Sequence, residues 1–231
     1  DPQAFREVAN EFTKANPNIK IKYEKQDIKG LGKYIDRLST RIGNGTGPDI
    51  FRYHNSWARQ LKPLLSPLPS DVVTSLQMDK FYKVVQDDLR VSGAYYGVPI
   101  QFDTLALFVN VQSFAAAGIS EYPSTWDDLA NSARTLTVKD TSGRIVTSGV
   151  AIGTYDNIAH ASDIVSLLLI QNGANLLDLN GASKQNAYDA LDFYTSFARG
   201  EAKVWDETLE NSKLAFAKGN LAMYFGYSWD I

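Results

Sequence analysis

The chain has 231 residues, with 23 Lys plus Arg against 26 Asp plus Glu, a net charge of −3 and no cysteine. Hydrophobic residues are 44% and charged residues 21%, ordinary values that exclude a disordered, low-complexity or collagen-like chain. The charge balance lacks the footprint of a nucleic-acid binder, and zero cysteine excludes disulfide frameworks, thiolate zinc sites and cysteine nucleophiles. In chain order, Phe5, Val8 and Phe12 fall on one helical face that Asn16-Pro17 stops. Ile19, Ile21 and Tyr23 then alternate with Lys20, Lys22 and Glu24, the pattern of a half-buried strand. A second helix is predicted over 31–42, with Tyr34, Leu38 and Ile42 apolar and the Gly-rich loop 43–48 as its end. Residues 49–53 read as a short strand leading into His54-Asn55-Ser56-Trp57. Helix and strand in alternation predict an α/β layer with parallel pairs.

A Pro-rich connector, 63–69, comes next, and residues 70–91 carry Val72, Val73, Leu76, Val84, Val85 and Leu89 as a predicted helix. Tyr95-Tyr96-Gly97-Val98-Pro99 opens a strand-rich stretch, and 104–110 reads as a nearly continuous buried strand. A short helix over 111–117 ends at Gly118. Thr125 and Asp128 have capping-box spacing, with acids in the first turn to suit the helix dipole. A strand over 150–153 leads to an apolar helix over 157–172, which ends at Asn172-Gly173. Residues 183–199 predict an amphipathic helix with Ala187, Leu191, Tyr194 and Phe197 inward and Gly200 beyond it. A helix to Lys218, a stop at Gly219 and a strand over 221–225 close the pattern. The lobe boundary is placed at 109/110, giving lobes 1–109 and 110–231.

Catalytic sets are scarce. The two histidines, His54 and His160, accompany no nucleophile elbow, no H-E-x-x-H and no Walker loop, so no catalytic residue, metal or cofactor is expected. The glycines of 43–47 lack the Lys-Ser/Thr of a phosphate cradle and read as a turn. Asp87-Asp88 and Asp127-Asp128 are adjacent pairs, and neighbours on a helix point about 100° apart, so neither shares a proton. Asn44-Gly45-Thr46 is a glycosylation sequon by pattern alone.

Polar aromatic clusters at element ends carry the chemistry. Tyr53, His54, Asn55 and Trp57 follow one strand; Gln101, Phe102 and Asp103 precede another. Thr154-Tyr155-Asp156-Asn157 and Tyr227-Ser228-Trp229 follow two more. Ligands of α/β sheets sit at the carboxyl ends of strands. Flat rings beside amides and carboxylates suit sugars, whose C–H faces stack while hydroxyls take directed hydrogen bonds.

Five motifs in register give a family resemblance. They are Gly47-Pro48-Asp49-Ile50, Tyr95-Tyr96-Gly97-Val98-Pro99 with Leu107-Phe108-Val109-Asn110, Pro123-Ser124-Thr125-Trp126-Asp127-Asp128-Leu129, Asn172-Gly173, and 216–223, Phe-Ala-Lys-Gly-Asn-Leu-Ala-Met. Together they resemble the extracellular solute-binding proteins of bacterial ABC importers, in the carbohydrate-binding, maltose-binding-protein-like family. The resemblance implies an α/β, two-lobed type II periplasmic-binding-protein fold. It also implies that this chain is a fragment incomplete at both ends, lacking the first strand and the return segments to the first lobe. Carried over, Tyr53 and Tyr155 fall at sugar-stacking positions, and Trp229 falls near another, with Ser228 or Tyr227 as the alternative holder of that role. Asn55, Ser56 and Trp57 fall where hydroxyls are contacted, and Asp103 where an acid binds them; Gln101 and Asp156 complete the candidate set. The resemblance implies a non-enzymatic mechanism, hinge closure around a sugar or oligosaccharide followed by docking on membrane permease subunits. It implies a monomer that is periplasmic or extracellular, lipid-anchored or free, and the chain itself shows no signal segment. Other readings stay open: a polyamine, glycerol phosphate or ferric ion (through Tyr95, Tyr96, Tyr224 and Tyr227), or a glycoside hydrolase with Asp103 and Asp156 facing each other from opposite lobes.

Overall fold

The computed structural model describes residues 2–26 and 31–230. Asp1 and Ile231, where the expected helical pattern opens and the expected second lobe ends, lie outside them. The chain divides into two compact units, Asp1–Ile100 and Gln101–Ile231. The division falls ahead of the expected 109/110, because the strand at 106–109 hydrogen-bonds into the second unit's sheet.

The first unit opens with α1 (Pro2–Ala15). Its predicted face forms, but Phe5, Val8 and Phe12 are all exposed. Residues 19–26 take no regular structure, although Ile19, Ile21 and Tyr23 alternate as a strand should. Helix α2 (Leu31–Gly43) buries Leu38, and Gly45 takes φ +69° in the turn that follows, which suits a residue without Cβ. Residues 49–53 also pair with nothing in a ladder, and Ile50 is 90% exposed. A strand is defined by its hydrogen-bonded neighbour, and periodicity alone does not supply one. The expected parallel layer is therefore absent among the described residues of this unit.

A 3-10 turn (Asn55–Trp57) leads to α3 (Ala58–Leu61), a second 3-10 turn (Lys62–Leu64) and α4 (Ser70–Ser75). The single helix expected over 70–91 breaks after α4. Gln77 is left-handed at φ 51°, a 3-10 turn follows (Met78–Lys80), and the Gln86 amide donates to the carbonyls of Asp79 (3.0 Å) and Phe81 (2.8 Å) to hold the break. A left-handed Gln ends a helix as Gly does, without Gly's signal in the sequence. Helix α5 (Lys83–Leu89) then runs into the hairpin β1 (Arg90–Val91) and β2 (Ala94–Tyr95). Its turn residues Ser92 and Gly93 both have positive φ, as a tight two-residue hairpin requires.

The second unit carries the main core. Strand β3 (Ala106–Val109) is half-buried rather than the nearly continuous buried strand expected. Helix α6 (Val111–Ala116) follows, with Gly118 at φ +70° past its end. Helix α7 (Trp126–Leu136) starts on the predicted capping box: Thr125 Oγ1 accepts from Asp128 N–H (3.1 Å) and Asp128 Oδ2 accepts from Thr125 N–H (3.2 Å). After β4 (Val138–Lys139) and β5 (Ile145–Val150), the chain stays buried through Ile152 but leaves the ladder, so the strand expected over 150–153 ends at its first residue. Helix α8 (Ala161–Gln171) begins four residues later than expected. Asn157 is held in the loop ahead of it: its amide donates to the carbonyls of Asp206 (2.9 Å) and Leu209 (3.0 Å). Helix α9 (Lys184–Ser196) turns Ala187 and Tyr194 inward, and Phe197 caps it in the core, whereas Leu191 is 40% exposed against expectation. Helix α10 (Ser212–Ala217) and β6 (Leu221–Gly226) complete the unit.

The sheet order is β3-β6-β5-β4, with β5 and β6 parallel and the two outer pairs antiparallel. Central β6 is buried along its whole length. Helix α7 packs so closely on β5 that a Cβ at Gly149 would lie 2.0 Å from the Ala133 carbonyl oxygen. Trp205, fully buried, donates from Nε1 to Thr154 Oγ1 (3.0 Å) and Asn157 Oδ1 (3.1 Å), which ties the core to the loop after β5.

Candidate functional site

Register alone brings three segments of the second unit to one end of its sheet. Ala106 pairs with Gly226 in the antiparallel β3–β6 ladder, so the chain entering β3 and the chain leaving β6 emerge together. Val150 pairs with Met223 in the parallel β5–β6 ladder, so the chain leaving β5 emerges there too. That end therefore carries Gln101 and Asp103, then Tyr155 and Asp156, then Tyr227, Ser228 and Trp229. The mixed sheet gathers them as the carboxyl ends of parallel strands would.

The segment entering β3 and the one leaving β6 interlock. Asp103 Oδ2 accepts from Ser228 N–H (3.1 Å) and Oγ–H (2.5 Å), and its Oδ1 accepts from Thr104 N–H (2.7 Å). The Ser228 hydroxyl and these backbone donors hold the Asp103 carboxyl below its usual range, so it is an ionised acceptor. Tyr227 and Trp229 stack, with centroids 4.4 Å apart and planes 14° apart, and Trp229 is 54% exposed. The Tyr227 hydroxyl donates to Asp163 Oδ2 (3.0 Å); burial and that carboxylate push it up to about 12. Tyr155 is exposed beside Asp156.

Behind this surface lies Asp230, its side chain only 2% exposed. Oδ2 accepts from Tyr224 Oη (2.8 Å), Tyr227 N–H (3.0 Å) and His160 Nε2 (2.8 Å), while Oδ1 pairs with Lys213 Nζ. Burial pushes the Asp230 carboxyl up, but Lys213, the Tyr227 N–H, Tyr224 and His160 together outweigh it and hold the group ionised. An ionised carboxylate only accepts, so His160 donates from Nε2. His160 itself is left-handed (φ 61°, ψ 23°), a conformation that costs a residue with a Cβ about 1 kcal/mol.

The sequence singled out His160 but gave it no role, and it missed Asp163, Lys213 and Asp230. Asp230 was findable as the residue directly after Trp229. Asp163 and Lys213 reach the cluster only through tertiary folding. Two further corrections follow. Asp103 and Asp156 lie in the same unit, not on opposite lobes, and Asp103 is held ionised by Ser228 and the Thr104 N–H. Tyr224 and Tyr227 donate to different carboxylates, and Tyr95 and Tyr96 lie in the first unit. Among the described residues no group of three or more His, Asp or Glu is arranged to hold a metal.

In the first unit, the remaining candidates share one local cluster. The Tyr53 hydroxyl donates to the Tyr96 carbonyl (3.0 Å) and lies 2.5 Å from where a Cβ on Gly97 would sit, so the Gly fits the ring. The Asn55 amide donates to Asp88 Oδ2, and Ser56 Oγ bonds His54 Nδ1 (2.8 Å). Trp57 packs half-buried between Tyr34 and His54. Asn55 and Tyr53 are thus both engaged in holding their own loop.

The profile of the family described as bacterial extracellular solute-binding protein matches residues 1–231. The maltotriose-binding protein of Pyrococcus abyssi is 28% identical over 130 residues, 55% of this chain and 26% of that protein. An uncharacterized ABC transporter extracellular-binding protein of Pyrococcus horikoshii is 28% identical over 225 residues, 94% of this chain and 45% of that protein. In structure, the ABC substrate-binding protein of Listeria monocytogenes solved with cycloalternan superposes at TM-score 0.74 with 22% identity, over 98% of this chain and 58% of its own. The sugar-binding protein MalE of Xanthomonas citri does so at TM-score 0.74 with 20% identity, over 99% and 57%. The chain spans under half the length of these curated relatives. The neighbours share the type II periplasmic-binding-protein fold, and with the profile matched along its whole length, the chain belongs to the bacterial extracellular solute-binding protein family.

Proposed function

We propose that this protein captures a sugar or oligosaccharide outside the cytoplasmic membrane, in the periplasm or on the cell exterior, and delivers it unchanged to the permease of an ABC importer. The observation that carries the reading is the stacked Tyr227–Trp229 pair standing beside ionised Asp103 at one sheet end, with Tyr155 exposed at the same end. An exposed indole offers a flat apolar surface to a pyranose C–H face, and carboxylates accept from its hydroxyls. Tyr155, Asp156, Gln101 and Ser228 supply further contacts in this reading. The names of relatives that bind maltotriose or cycloalternan favour an oligosaccharide. The protein acts as a monomer, without cofactor, metal or nucleic acid.

Tryptophan fluorescence during titration with a panel of mono- and oligosaccharides tests the reading. A saturable change with the sugar recovered intact supports it. Consumption of the sugar identifies hydrolysis and overturns it.

A further inference from the structure

His160 is the one aromatic residue of the second unit with left-handed backbone among the described residues, and its ring sits where the site's supports cross. Nε2 donates to Asp230, which in turn accepts from the Tyr227 N–H; Nδ1 lies 3.9 Å from Asp163 Oδ2, which accepts from the Tyr227 hydroxyl. The His160 ring meets the Tyr227 ring at 89° with centroids 4.9 Å apart, and it meets Trp229 at 6.5 Å and 76°. Tyr227 is therefore fixed at its hydroxyl, its backbone and its ring by groups that His160 touches, and Trp229 rests on Tyr227. A residue held in a strained backbone by a satisfied polar cluster marks a site where geometry is being enforced.

We propose that His160 is a positioning residue for ligand capture: through its Asp230 bond and its ring contact it sets the Tyr227–Trp229 stack in the orientation that presents Trp229. As a role in capture, this rests on the sugar-binding reading above. The positioning itself is readable without a ligand.

Two variants of the full chain separate the cases. His160→Gly deletes the ring and relieves the left-handed backbone, whereas His160→Gln keeps an amide donor near Nε2. Both are labelled with 5-fluorotryptophan, and the Trp229 resonance is assigned by its loss in Trp229→Phe. The expected result is a shifted or broadened Trp229 resonance in His160→Gly and one closer to wild type in His160→Gln, which restores the Asp230 bond but not the ring contact, with melting temperatures compared to confirm folding. Saccharide affinity should fall roughly tenfold in His160→Gly, the loss one misplaced partner produces, and recover in part in His160→Gln. An unmoved Trp229 resonance in folded His160→Gly overturns the positioning role, whatever happens to affinity. A shifted resonance in a protein whose wild type binds no saccharide supports the positioning role and sinks the capture reading instead.

Discussion

The two units use similar amphipathic segments and reach different outcomes. In the second, four strands form one sheet with β6 between β3 and β5, and five helices cover apolar groups from Phe114 to Phe225. In the first, the ladder among the described residues is the short β1–β2 hairpin, and Phe5, Val8, Phe12, Ile19, Ile21 and Val84 all stay exposed. Its buried apolar side chains among the described residues are Leu38, Ala58, Leu61, Met78, Leu89 and Val91. The contrast teaches that periodicity marks which face of a segment wants burial, while the paired neighbour decides whether it gets it.

Four measurements break or sharpen this contrast. The largest effect is expected for Trp205→Ala, which empties the second unit's core and strips two hydrogen bonds from the loop after β5. It should cost about 3–5 kcal/mol in urea unfolding, with amide protection lost in β5 and β6 but kept around the hairpin. Leu61→Ala, fully buried in the first unit, should cost about 2 kcal/mol, at the low end for such truncations, with the loss of protection confined to residues near α3. Unchanged protection around α3 would contradict the burial of Leu61. Thr125→Ala removes one half of the α7 capping box and should cost about 1 kcal/mol. The smallest effect concerns acid. Asp230 is held below its ordinary 3.8, so its contribution is complete above that value and is lost as pH falls through it toward the folded value. Asp230→Asn should therefore flatten the fall in melting temperature below about pH 4 relative to wild type. A parallel acid limb in both proteins would contradict the ionised, fully bonded Asp230.

Where local chemistry sufficed, the structure was legible in the sequence. Thr125 and Asp128 announced α7, Gly118, Gly173, Gly200 and Gly219 marked helix ends with positive φ, and β6 was found to within a residue. The segments at 19–24 and 49–53 show the limit: their alternation is genuine, but strand formation depends on a neighbour that local sequence does not name. Gln77 and His160 show another, because a left-handed non-glycine breaks a helix without leaving a signal. Of the candidate residues, Asp103, Tyr155, Tyr227 and Trp229 were named from aromatic-polar clusters at element ends, but Asp103 falls in the second unit because β3 joins the ladder of β6. Asp163 and Lys213 join the cluster through contacts across 64 and 17 residues of chain, beyond any local pattern.

The central claim is that the ligand sits at the sheet end where β3 begins and β5 and β6 finish. Hydrogen–deuterium exchange with and without the best-bound oligosaccharide tests it most directly. Slowed exchange at 101–104, 154–157 and 227–230 together is the predicted footprint. Unchanged exchange in all three, with protection at the opposite end of the sheet around 138–145, would contradict it.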